Sequence, residues 1–355
     1  MKSPYSDLPD RAFWRKAVSE SSTRDPGAIY EPRFPIGPKT RIATAGSCFA
    51  QHVGRALREA AFNVLDAEPI PASVSDTTAQ AYGYRLFSGR YGNIYTARQM
   101  LQLLREALGE FEPADPVWAR GDRYFDAQRP NIEPEGFASE DQVRAHRKSH
   151  LAAILKMFRS TDLFVFTFGL TEAWTDRASG TVYPTAPGTI AGTFDQDRHI
   201  FRNFGFEEVH ADFLEVRAIL RRFNPDMRFV VTTSPVPLTA TASGLNVEVA
   251  TCYSKAVLRA VCGSLYAAFD DVDYFPSYEI ITSVKTRGAY FGPNLRSVTP
   301  EGVGTAMRTF LAAHGVAKRP GDERSVKGRR GPGARAGAKE TGEVCEEALL
   351  DAFAK

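Results

Sequence analysis

With 355 residues, 43% of them hydrophobic and 24% charged, the chain is long enough to bury one large core or two modest ones. No stretch approaches the roughly 20 apolar residues of a membrane span, the first residues carry no signal-peptide-like apolar run, and the four cysteines show no metal or disulfide spacing. A cytoplasmic protein without cofactor or metal is therefore expected. The net charge of +2 conceals two opposed segments, eight Lys or Arg against two acids from Lys318 to Lys339 and five acids against one Lys from Glu340 to Lys355, so the balanced remainder gives no electrostatic case for nucleic acid.

Residues 1–40, rich in Pro, Ser and charge, read as an arm packed on the main domain, with one short helical candidate from Arg11 to Val18. Arg41 to Thr44 is predicted as the first strand. A helix follows from Phe49 to about Ala61, because Phe49, Val53, Ala56, Leu57 and Ala60 recur at helical spacing. Asn63 to Leu65 is predicted as a short second strand. Pro69 to Tyr95 reads as a long polar connection, after which Thr96 caps a helix carrying Leu101, Leu103, Leu104 and Leu108. Glu110 to Ser139 reads as irregular, and a helix is predicted from about Glu140 to Phe158.

The run Leu163 to Phe168 is nearly continuously apolar, as in a sheet covered on both faces. Leu170 to Asn203 reads as a long loop holding Glu172, Trp174, Tyr183, Asp195, Asp197 and His199. Then come a helix from Phe206 to Phe223, a strand from Arg228 to Thr233 stopped by Pro235 and Pro237, a helix from Val247 to Phe269 and a strand from Val272 to Phe275. A last helix starts near Thr299 and Pro300 and ends near His314 and Gly315.

This alternation predicts an α/β domain over residues 41–317, with a five-stranded, mostly parallel sheet between two helical layers. For the order 2-1-3-4-5, the ligand crevice lies beyond the first and third strands, which lead into Ser47 and Gly169. Residues 318–342 read as a basic disordered linker. Residues 343–355 read as a short amphipathic helix that docks on its own domain or on a partner.

Ile42 to His52 attracts the chemistry. A strand that breaks at Gly46-Ser47 and turns into a helix puts Ser47 where unpaired N–H groups and the helix dipole favour negative charge. Ser47 then reads either as a nucleophile or as a plain helix cap, although Ala50 three residues on gives it no capping box. Cys48, beside it, is a competing nucleophile.

Gly46-Ser47-Cys48-Phe49-Ala50 is the motif that names the GSCFA family. The chain further resembles that family in Gly92-Asn93-Ile94-Tyr95, Phe168 to Trp174, Ser234 to Leu238, Ser254-Lys255 and Tyr274 to Glu279. GSCFA proteins are similar to the SGNH (GDSL-like) hydrolases, which implies a flavodoxin-like three-layer fold and ester chemistry through a serine. Carried over by that resemblance, Ser47 is the nucleophile, and the oxyanion hole draws on Ser47, Gly92 and Thr171, the last standing where Asn is usual. The implied substrate is an acylated carbohydrate or similar small ester, with the acyl group passed to water or to a hydroxyl.

The departure lies at the base. Where the superfamily has D-x-x-H, this chain has Asn294-Leu295-Arg296-Ser297, and no His. Serine is a poor nucleophile without an adjacent base. Of the six histidines, His146 and His150 read as solvated, His314 as a helix-end residue, His210 as part of an amphipathic helix, and His52 as directed away from Ser47. His199 remains, with Asp195 and Asp197 near enough in sequence to orient it, and Glu172 is the alternative base if Trp174 buries it. Without a base the same residues suit a second reading, a catalytically inactive protein that binds a glycan or an anion through Arg296 and Lys255.

Overall fold

The computed structural model describes residues 3–22, 25–316 and 346–354. In chain order these form β1 (Ile42–Gly46), α1 (Phe49–Glu59), α2 (Asp76–Ala81), α3 (Ala97–Ala107), β2 (Val117–Arg120), β3 (Arg123–Asp126), α4 (Glu140–Arg159) and β4 (Leu163–Phe168). There follow β5 (Glu172–Asp176), β6 (Val182–Tyr183), β7 (His199–Asn203), α5 (Phe206–Phe223), β8 (Arg228–Thr233), α6 (Val247–Ala268), β9 (Val272–Tyr274), α7 (Ser277–Thr282) and α8 (Pro300–Ala313). Four strands make one parallel sheet in the order β1-β4-β8-β9, with Gly46 opposite Thr167 and Phe166 opposite Val231.

Successive strand residues point to opposite faces, so the continuous apolar runs feed two cores. Phe164, Phe166, Phe168, Phe229 and Val231 pack with α3, α4, α5 and α6 on one face. Ile42, Leu163, Val165 and Val230 pack with α1, α7 and α8 on the other, together with Tyr30, Phe34 and Ile36 from the N-terminal arm. Burying each such side chain contributes about 1.5–3 kcal/mol. The result is the expected three-layer α/β/α arrangement.

The sheet has four strands rather than five. The predicted second strand contracts to one parallel bridge, Val64 against Ile42. Beyond it the β1 edge is taken by side-chain and loop groups: Ser88 N–H donates to Thr44 O at 3.3 Å, Thr44 N–H donates to Ser88 Oγ at 3.0 Å, and Ile94 N–H donates to Gly46 O at 2.9 Å. The bridge keeps the 2-1-3-4-5 order, with its switch point between β1 and β4.

Two stretches expected to be irregular are folded. Val117 to Asp126 forms the β2–β3 hairpin, and Leu170 to Asn203 contains the antiparallel sheet β6-β5-β7. Strands β5 and β7 are five residues each, with charged or polar ends, so they show no alternation that sequence patterning detects. The helical candidate near Arg11 is a 3₁₀ turn, Asp10–Ala12, and one π turn, Arg15–Ser19. Residues 318–342 lie outside the described residues, as do 343–345 of the C-terminal segment; Glu346–Phe353 is a 3₁₀ helix. Among the described residues no helix is long and apolar enough to cross a membrane.

Candidate active site

Gly46 and Ser47 form the turn from β1 into α1. Gly46 has φ +139°, and a Cβ there would run into the Thr167 carbonyl of β4, so only glycine fits. Cys48 and Phe49 are already helical, which buries Ser47 to 2% exposure at the carboxyl end of the sheet. Gln51, on the first turn of α1, donates to Asn93 Oδ1 at 3.2 Å and ties the 92–95 segment beside this turn.

The elbow after β4 closes on Ser47 from the other side. A Cβ on Gly169 would lie 2.8 Å from Ser47 Cβ, a contact that only glycine avoids. Gly169 and Leu170 N–H both donate to Tyr95 O at 3.1 Å. Helix α6 secures the elbow twice: Ser254 Oγ accepts from Thr171 N–H at 3.0 Å, and Lys255 Nζ donates to Gly169 O at 2.6 Å. Lys255 is 3% exposed.

Ser47, Cys48, Tyr95, Gly169, Ser234 and Lys255, with Leu170 and Leu238, line a cavity of about 10 Å³, room for a single water. Ser47 Oγ is buried there without a hydrogen-bond partner among the described residues. A buried polar atom left unpaired costs free energy and calls for a reason, of which a chemical role is one. Tyr95, Leu170 and Leu238 also form part of the wall of a second cavity of about 220 Å³, which Glu172, Trp174, Tyr183, Thr241 and Leu350 help to enclose.

The sequence-selected residues fall into three groups. Ser47 and Gly92 belong to the β1 end, where the Ile94–Gly46 hydrogen bond holds the Gly92 segment. The Ser47 N–H, however, donates to Thr167 O at 3.2 Å, continuing the β1–β4 ladder instead of pointing into the cavity. Thr171 is fully buried; its hydroxyl donates to Asn203 Oδ1 at 2.6 Å, and its N–H is taken by Ser254.

His199 and Asp195 belong to the antiparallel sheet. The His199 ring sits against Tyr183 and Phe194 and is not part of the wall of the Ser47 cavity. Its partner is the Asp195 backbone, whose N–H donates to Nδ1 at 3.0 Å, while the Asp195 carboxylate accepts from Asp197 N–H. Glu172 accepts from Thr241 Oγ1 at 2.7 Å in the larger cavity, and burial raises its pKa. Asn294 closes a local turn, accepting from Arg296 and Ser297 N–H, and Arg296 lies in that turn.

His150 corrects the solvated reading. It is fully buried, with Nδ1 2.8 Å from Glu68 Oε2. Burial first and the nearby Arg129 second push its pKa down to about 3. The sequence misleads because the stripe that α4 buries, Val143, Arg147, His150 and Ile154, mixes charge with apolar residues. Conversely, Lys255, expected to hold an anion, lies inside. The signal for burial is its place on the stripe Lys255, Leu258, Cys262 and Leu265, all buried at helical spacing. Among the described residues no three His, Cys, Asp or Glu side chains are grouped to hold a metal ion.

A parallel sheet with a buried serine at the strand-to-helix turn of its switch point defines an α/β protein with a serine-centred pocket. A sequence profile of the GSCFA family matches residues 41–310, and the chain belongs to that family. No curated protein sequence matches it. Among solved structures the chain is similar to an acetyl xylan esterase from the rumen bacterium Butyrivibrio proteoclasticus, at 12% identity and a TM-score of 0.29. That similarity covers 79% of this chain and 66% of the esterase, so the chain spans just under two thirds of the esterase's length.

Proposed function

We propose that the protein is a serine-dependent acyl-ester hydrolase or O-acyltransferase that works through a Ser47 acyl-enzyme on a carbohydrate O-acyl group or similar small ester. The observation that carries this reading is the Ser47 hydroxyl, unpaired among the described residues and buried at the amino end of α1 beside a larger, mixed cavity. Attack of Oγ on an ester carbonyl gives an oxyanion, and each donor aimed at it is worth about 2.7–4 kcal/mol. Of the donors that the resemblance implies, this reading keeps Gly92, since Thr171 already serves Asn203 and Ser47 N–H serves Thr167. The cavity of about 220 Å³ suits an acyl chain or one sugar ring, with Trp174 and Tyr183 as apolar faces and Glu172 and Thr241 as polar ones.

Hydrolysis of p-nitrophenyl acetate by the full chain and by Ser47→Ala tests the proposal. The variant is expected to lose turnover to background; turnover equal to wild type excludes Ser47 as nucleophile. The binding reading makes the opposite forecast, no turnover by either protein.

A further inference from the structure

We propose that Lys255 Nζ takes the proton from Ser47 Oγ, so that the site is a Ser–Lys pair and not a Ser–His triad. This inference rests on Ser47 being the nucleophile. It answers the question left by the missing D-x-x-H segment: which group activates the serine.

Three observations place the two side chains on one small cavity, with no hydrogen bond yet made by Ser47 Oγ among the described residues. Both form part of the wall of one cavity of about 10 Å³, whose lining, among the described residues, contains no imidazole and no carboxylate. Both meet the same glycine: Ser47 Cβ packs against Gly169 at the point where a side chain would stand, and Lys255 Nζ is 2.6 Å from Gly169 O. Both are buried, to 2% and 3% exposure. A residue other than glycine at 169 would stand against Ser47, so glycine there lets Ser47 pack on the elbow whose carbonyl Lys255 holds.

The chemistry fits an amine at that place. Desolvation disfavours an ammonium and favours the neutral form, which holds a lone pair. A neutral amine still has N–H groups to give Gly169 O, so that hydrogen bond and the lone pair coexist. As the Oγ–carbonyl bond forms, the hydroxyl proton passes to Nζ. As the ester C–O bond breaks, the resulting ammonium gives that proton to the leaving alcohol. An incoming water or sugar hydroxyl then attacks the acyl-serine, gives its proton to Nζ, and Ser47 Oγ recovers the proton on release. Water as acceptor yields one acid and one alcohol for each ester and water consumed. Pairing of serine with lysine is an established alternative to histidine on other folds.

The other role open to Lys255 is structural, holding the elbow through Gly169 O. Lys255→Arg separates the two, because a guanidinium keeps a donor for that carbonyl but cannot lose a proton near neutral pH. The experiment is the rate of fluorophosphonate labelling at Ser47, located by peptide mass, from pH 6 to 10, for wild type, Lys255→Arg, Lys255→Ala and Ser47→Ala, with thermal unfolding of each. Expected are labelled wild type, a fall of roughly 10²–10⁴-fold in both lysine variants, loss of the wild-type pH profile in Lys255→Arg, and partial recovery of Lys255→Ala by added methylamine.

Folded Lys255→Arg that labels at the wild-type rate overturns the proposal and leaves Ser47 as nucleophile. Wild type that fails to label at any pH overturns both readings together. If Lys255→Ala does not fold, Lys255→Arg and the pH profile decide.

Discussion

A single methyl group at residue 169 tests whether the β4 elbow positions Ser47. In Gly169→Ala the new Cβ lies 2.8 Å from Ser47 Cβ and 2.9 Å from Tyr95 O. Ordinary contact begins near 3.4 Å, so the gap must open by about 0.6 Å. The elbow has little room to retreat, since Tyr95 O holds Gly169 and Leu170 N–H, and Lys255 holds Gly169 O. The displacement therefore falls largely on Ser47. Overpacking of this kind costs about 1–3 kcal/mol, and a misplacement near 1 Å lowers reactivity on the order of 10²-fold. Urea unfolding and the Ser47 labelling rate measure the two effects separately. Expected are a stability loss in that range and labelling slowed by roughly 10–100-fold. The control is Gly37→Ala, where a Cβ meets only Thr40 Oγ1 at 3.8 Å; it should change neither. A folded Gly169→Ala protein that labels as fast as wild type refutes the reasoning.

Two further substitutions address the histidines. His199 Nδ1 accepts the Asp195 N–H, so the neutral ring carries its proton on Nε2 and offers no lone pair there to a serine. His199→Asn, which keeps an acceptor for that N–H, should label at Ser47 within about twofold of wild type and lose about 0.5–1.5 kcal/mol of stability; a tenfold slower reaction restores His199 as the base. For His150, burial holds the native ring neutral down to about pH 3, whereas the unfolded chain takes up that proton near 6.5. The unfolded state thus binds more protons throughout that window, and stability must rise with pH across it. Between pH 7 and pH 5 the loss on acidification is about 2 kcal/mol. Glu68 contributes nothing in this window. Its burial is outweighed by the hydrogen bond with His150 and the charge of Arg129, which lower its pKa, so its stabilisation fades as pH falls through and below the unfolded value. Urea midpoints at the two pH values should differ for wild type and differ less for His150→Asn, where the partly buried His146 and His314 remain, and an unchanged difference in the variant would falsify the assignment.

The parallel frame was legible because strands buried on both faces read as unbroken apolar runs. Leu163–Phe168 and Arg228–Thr233 fall where their composition puts them, as do Phe206–Phe223 and the Thr96 cap, whose hydroxyl accepts from Gln99 N–H. The added strands were less legible. In β5, Trp174 and Ala173 are only partly buried between charged ends, so neither period stands out. The β2–β3 hairpin did carry a signal, the two-residue Gly121-Asp122 turn between Val117-Trp118 and Tyr124-Phe125. At the site, the Gly46-Ser47 break located the turn into α1, because a strand end and a helix start are local events. The base proposed for Ser47 is not local. Lys255 stands more than half the chain away in sequence, and only the packing of α6 on the β4 elbow brings it to the same glycine.

That packing also sets how substrate reaches the serine. The cavity at Ser47 holds one water at most, whereas an ester must bring its carbonyl carbon into contact with Oγ. The space that fits an acyl group lies across Tyr95, Leu170 and Leu238, which form one buried apolar cluster with Ala250 of α6. Tyr95 and Leu170 are joined by a backbone hydrogen bond, while Leu238 follows the Ser234-Pro235-Val236-Pro237 segment, whose two prolines have no N–H to donate. Leu238 N–H is itself held only by the Thr251 hydroxyl of α6, at 3.2 Å. The 234–241 segment runs between the two cavities, with Ser234, Val236 and Leu238 lining the one at Ser47 and Leu238 and Thr241 lining the larger one. Thr241, at its far end, is bonded to Glu172 inside the larger cavity. Burial opposes ionisation of Glu172 and the Thr241 hydroxyl stabilises its anion, so this hydrogen bond links the protonation of Glu172 to the segment that lines both cavities.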